Sequence, residues 1–75
     1  MPTEKKPVYW LSPLNAEDDF GVQYGTIMYD AKTIHGPWAN MSEISFQRHG
    51  FGRLGTGYGQ KYEKQPDGRW LKVEG

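Results

Sequence analysis

The sequence predicts a small α+β domain: a small antiparallel β-sheet with one short helix packed on it and a C-terminal β-hairpin. Three observations lead there. Runs of β-branched and aromatic residues recur at 7–11, 22–29, 58–65 and 69–73. A capped helix signal of about two turns lies among them, at 41–49. Pro66-Asp67-Gly68 separates the last two runs as a strong turn: Pro presets φ, Asp bonds the backbone and Gly takes the left-handed position.

In chain order, residues 1–6 read as a disordered tail and 7–75 as one domain. Pro7-Val8-Tyr9-Trp10-Leu11 reads as a first strand, with Pro tolerated at its start and Ser12-Pro13 ending it. Residues 12–21 read as a loop, and their acidic triplet Glu17-Asp18-Asp19 as solvated. Thr26-Ile27-Met28-Tyr29 is the stronger half of the second strand, and Asp30-Ala31-Lys32-Thr33 reads as turn.

The helix is placed by its ends. Asn40 is a good N-cap with Glu43 three residues on, and Ala39 and Ile44 stand at staple positions. Arg48 and His49 suit the negative end of the helix dipole, and Gly50 suits a C′ residue with positive φ. Phe46 and Phe51 would then form the apolar pair of a Schellman end. A helix this short does not persist alone, so it is expected to dock through Met41, Ile44 and Phe46. In the last hairpin a three-residue loop sets Lys64 opposite Trp70 and Glu63 opposite Leu71.

The chain has 75 residues and no Cys, so neither disulfides nor thiolate metal sites support the fold. Its resource is aromatic: three Trp, five Tyr and three Phe. Nine cations balance nine acids, so no global field draws the chain to nucleic acid or an anionic membrane. Residues 1–43 carry a net −3 and residues 44–75 a net +3, which leaves room for a basic face on the second half. No signal peptide or membrane span is visible, and a cytoplasmic location is expected.

Gly50-Phe51-Gly52-Arg53-Leu54-Gly55 matches G-x-G-x-x-G, but a helix precedes it where a dinucleotide fold needs a strand. Asp19-Phe20-Gly21 is a similar coincidence. Consecutive glycines can also form an anion nest, with Arg48, Arg53 and Lys61 adding charge, although tight turning explains them more simply. His35 and His49 are the only histidines; with an acid such as Asp30 they could hold a metal in principle, but His35 sits in a Gly-Pro loop and His49 is more simply a partner of the helix dipole. No catalytic set is present, so no enzyme activity, cofactor or metal is expected.

Gly36-Pro37-Trp38-Ala39-Asn40-Met41, followed by a short helix and a GxGxLGTGxGQxY segment at 50–62, resembles a group of small uncharacterised bacterial and phage-associated proteins. The resemblance covers about a third of the chain. Some of the group are zinc-ribbon-like, with Cys-x-x-Cys after the Met; here those positions are Ser42 and Ser45, and Arg53 is an extra residue in the glycine segment. It implies a metal-free version of a domain that metal staples in some relatives, and brings no activity with it.

The expected function is a small protein-interaction or regulatory module, binding an unknown protein or itself as a homodimer. The alternative is binding of single-stranded nucleic acid or a phosphate ligand by the basic, ring-rich segment 48–64. The candidate contact residues are Trp38, Arg48, Phe51, Arg53, Leu54, Tyr58, Lys61 and Tyr62.

Overall fold

A computed structural model describes residues 6–75. The expected tail lies outside the described residues except for Lys6. The elements are β1 (Ile27–Lys32), β2 (Trp38–Met41), α1 (Glu43–His49), β3 (Gly59–Lys64) and β4 (Trp70–Glu74). They form one antiparallel sheet in the order β2-β1-β3-β4, with α1 on one side, so the predicted α+β class and the C-terminal hairpin are present. No helix among the described residues is long and apolar enough to cross a membrane.

Successive side chains of a strand point to opposite faces, and both faces here are covered. On one face Met28 and Tyr62 pack with Tyr24, and Trp10, Leu14 and Trp70 close over them. On the other, Tyr29, Ala31 and Met41 pack beneath Phe46 of α1 and Leu54 of the glycine segment. The phenyl ring of Phe46 lies flat on Tyr29, with centroids 4.0 Å apart. Large rings on both sides of a thin sheet thus make two small cores.

The hairpin follows the sequence. Lys64 stands opposite Trp70 and Glu63 opposite Leu71, and Gln65 N–H bonds Arg69 C=O at 2.7 Å around the Pro66-Asp67-Gly68 turn. The Lys64 ammonium lies 6.0 Å from the centre of the Trp70 indole.

Several expectations are corrected. Residues 7–11 are not a sheet strand. They lie along the outer edge of β4 through two backbone bonds, Trp10 N–H to Trp70 C=O and Lys72 N–H to Val8 C=O. Asp30, Ala31 and Lys32 are strand, because pairing of all three with β2, and of Asp30 and Ala31 with β3, outweighs their turn propensity. The turn begins only at Thr33, whose hydroxyl bonds Pro37 C=O.

Asn40 belongs to β2, and the helix N-cap is Ser42, whose hydroxyl accepts the Ser45 amide at 3.2 Å. Moving the cap by two residues rotates the helix, so Ile44 faces out, 51% exposed, while Ser45 and Phe46 face in. Gly50 has φ −85°, not a positive value. Its need for glycine is close approach: a Cβ there would lie 2.6 Å from Phe46 Cδ1. Phe51 accordingly does not pair with Phe46.

The acidic triplet is solvated only in part: Glu17 and Asp19 are exposed, but Asp18 is not. Asp18 is 6% exposed, and its carboxylate accepts the amides of Phe20, Val22 and Ser42 at 2.7–2.9 Å. Asp19 bonds Asn40 twice, by its own amide to the Asn40 carbonyl and by its carboxylate to the Asn40 amide. The two acids close the outer edge of β2 over Asn40 and Ser42, the kind of edge that otherwise invites other chains to pair. Burial pushes the Asp18 pKa up, but bonds from the Ser42 amide, the Ser45 hydroxyl, the Val22 amide and the Ser42 hydroxyl outweigh it and bring it down to about 2. Ser42 and Ser45 are both buried, with hydroxyls 3.3 Å apart, and the Ser42 amide holds this carboxylate.

Candidate interaction site

The glycine segment is ordered by its own backbone. Gly55 and Gly59 exchange amide–carbonyl bonds at 2.8 and 3.0 Å, and Tyr58 N–H bonds Gly55 C=O at 2.9 Å. The turn is then tied to the sheet, since Lys32 N–H bonds Tyr58 C=O at 2.9 Å. Gly59 itself sits at φ 143°, and a Cβ there would lie 2.6 Å from Ala31 Cα in β1. Glycine lets the two backbones meet this closely.

This anchoring brings the segment against the end of β1. Lys32 Nζ lies 5.7 Å from the centre of the Phe51 ring. Phe51 meets Tyr58 edge to face, with centroids 6.1 Å apart. The Arg53 guanidinium covers Tyr58 at 4.4 Å, and its Nη1 lies 3.4 Å from the Tyr58 hydroxyl. The result is a row of cation, ring, ring, cation. Trp38 is the Cα partner of Lys32 on β2 and is 49% exposed, while Phe51 is 46% exposed. Ile34, on the adjoining β1–β2 turn, is also exposed.

The residues expected to make contacts separate accordingly. Phe51, Arg53 and Tyr58 come together, and Trp38 stands at the same end of the sheet on the far side of Lys32. Trp38 is half exposed and not part of either core. Arg48 is exposed in the last turn of α1. Lys61 points to the helix-bearing face, 5.9 Å from the Tyr29 ring centre. Leu54 is half-buried in the core beneath α1. Tyr62 is 4% exposed, its hydroxyl donating to Gln60 Oε1 at 2.6 Å, which removes it from any contact surface.

Lys32 was missed in the sequence. Its partners come from β2 and from the glycine segment, and nothing local distinguishes a lysine at a strand end. Electrostatically the row is unsatisfied in one respect. The single ion pair among the described residues joins Arg69 to Asp67, so Lys32 and Arg53 rest on rings and not on carboxylates.

Two open clefts lie elsewhere. One, of about 360 Å³, runs between Lys6–Val8 and Lys72–Gly75. The other, of about 480 Å³, opens between Leu14, Tyr24, Lys64 and Trp70. Neither is lined by the cation–ring row. Comparison with known proteins found no matching family model, no similar curated protein and no matching solved structure.

Proposed function

We propose that the protein is a small, non-enzymatic interaction or regulatory module of the cytoplasm, and that it docks a protein partner or a second copy of itself. The docking surface is the end of the sheet that carries Trp38, Lys32, Phe51, Tyr58 and Arg53. One observation carries this reading: Trp38 and Phe51 are large rings left about half exposed at one end of the sheet. Aromatic and Arg side chains are the usual anchors of interfaces, and a chain this short has few rings to spare from its cores. The outer edges of β2 and β4 already carry hydrogen bonds, so docking by side chains is favoured over strand addition.

The test is quantitative capture from host lysate by the wild type and by Trp38→Ala and Phe51→Ala, with the mass in solution measured alongside. A partner, or self-association, that survives both substitutions unchanged removes the reading.

A second reading has its own support. Cations interleaved with rings are what single-stranded nucleic acid binds, phosphates to cations and bases to rings. Here Arg53 already covers one face of Tyr58 and Lys32 lies over Phe51, which leaves fewer free faces for stacking. An oligonucleotide shift that is salt-sensitive and lost in Arg53→Ala would favour it over protein docking.

A further inference from the structure

The two histidines, far apart in sequence, meet. His35 Nε2 lies 2.9 Å from His49 Nδ1. His35 is in the β1–β2 turn and His49 ends α1. The His49 imidazole is stacked flat on Phe20, centroids 4.0 Å apart and planes 7° from parallel. The backbones beneath are tied together, since Ile34 N–H bonds His49 C=O at 2.7 Å and Thr33 bridges Gly50. The turn is fixed in turn by the Thr33 hydroxyl, which accepts the His35 amide at 3.2 Å.

We propose that His35 and His49 form a binding site for a divalent first-row transition metal, with Cu²⁺ or Ni²⁺ the favoured ions. Imidazole suits these ions, and both nitrogens here are exposed side-chain atoms with no protein partner but each other among the described residues. Two nitrogens 2.9 Å apart, each about 2.0–2.1 Å from one ion, subtend about 90° at it. That is the angle between neighbouring ligands in a square or octahedral field, and it is narrower than a tetrahedral zinc site prefers.

The exchange is chemically simple. In the hydrogen-bonded pair one nitrogen donates a proton and the other offers a lone pair. The donor ring takes its other tautomer, with the proton on the nitrogen facing away, and the rings tilt so that both lone pairs meet one ion. The ion and its waters replace a single hydrogen bond. No third His, Asp or Glu completes the set among the described residues. The remaining positions are therefore filled by water, and the site is of the two-histidine, exchangeable kind. Because both ligands are held by backbone already in place, the second imidazole binds at high effective concentration.

Titration of the ¹⁵N-labelled protein with NiCl₂ and CuCl₂, with MgCl₂ as control, tests this. The amide signals of residues 34–35 and 49–50 should broaden before any others, and Mg²⁺ should leave them unchanged. His35→Gln and His49→Gln should each weaken Ni²⁺ binding by at least about tenfold, since one imidazole remains in each. Broadening that starts elsewhere overturns the proposal, as does an equal response to Mg²⁺. So does either variant binding Ni²⁺ within about twofold of the wild type. The broadening measurement needs only the wild-type chain, so a variant that fails to fold does not shield the proposal.

Discussion

Residues 17–22, ahead of β1, and residues 50–59, leading from α1 into β3, are both irregular, and neither carries a periodic pattern. The first stretch is drawn inward by charge: Asp18 collects three backbone amides, and Asp19 binds β2. The second is held by its own backbone, with Gly59 pressed on Ala31, and turns Phe51 and Arg53 outward. One irregular segment therefore stabilises the fold and the other displays a surface. The difference lies in what side chains remain once the backbone is satisfied. A buried carboxylate has to be fully bonded, whereas a glycine turn leaves its neighbours free.

The largest effect expected from this contrast is on Asp18. Asp18→Ala strands the amides of Phe20, Val22 and Ser42 and should cost about 4 kcal/mol. Chemical denaturation reads it, and a loss below about 1 kcal/mol would mean that water replaces the carboxylate without penalty. Gly59→Ala should cost about 3 kcal/mol, from overpacking on β1 together with a strained positive φ. If it is neutral, the glycine segment can move off the sheet and its anchoring is weaker than described.

Acid should dissect the first region alone. The Asp18 carboxyl is lowered in the folded chain from its ordinary 3.8 to about 2. Its contribution is therefore complete above pH 3.8 and is lost as the pH falls through about 2; it amounts to about 2 kcal/mol. In Asp18→Asn the stability difference between pH 5 and pH 2 should shrink by that amount. An unchanged pH profile would show that other carboxyls carry the acid sensitivity. The smallest change belongs to the second region. Phe51→Ala should alter stability by less than about 0.5 kcal/mol while reducing partner capture. A large loss of stability with intact capture would invert the two assignments.

Legibility followed the range of the interactions. The β3–β4 hairpin was readable because Pro66-Asp67-Gly68 sets the register within a few residues. The helix was found to within two residues at its start, from capping signals that compete: Asn40 and Ser42 are both good caps, and only pairing with β1 on one side and Asp19 on the other, both long-range, claims Asn40 for β2. β2 itself, four residues beside Pro37, has no alternating pattern to announce it. The site was half readable. Phe51, Arg53 and Tyr58 were grouped by their mixture of rings and cations, and they do meet. Tyr62 shared that mixture yet went to the core, because strand alternation put it on the same face as Met28 and Trp10. Lys32, Asp18 and the His35–His49 contact depend on long-range pairing that no local window contains.

The short strips that run beside Asn40–Ser42 and Trp70–Lys72 also govern what happens when many copies are crowded together. A neighbouring molecule meets no ready row of amides there on which to template, so a growing cross-β stack has to begin by peeling one strip away. Resistance to fibre formation in this protein is thus set by the local opening of residues 8–10 or 18–19, and a protease or acid that loosens either strip should shorten the lag before aggregation.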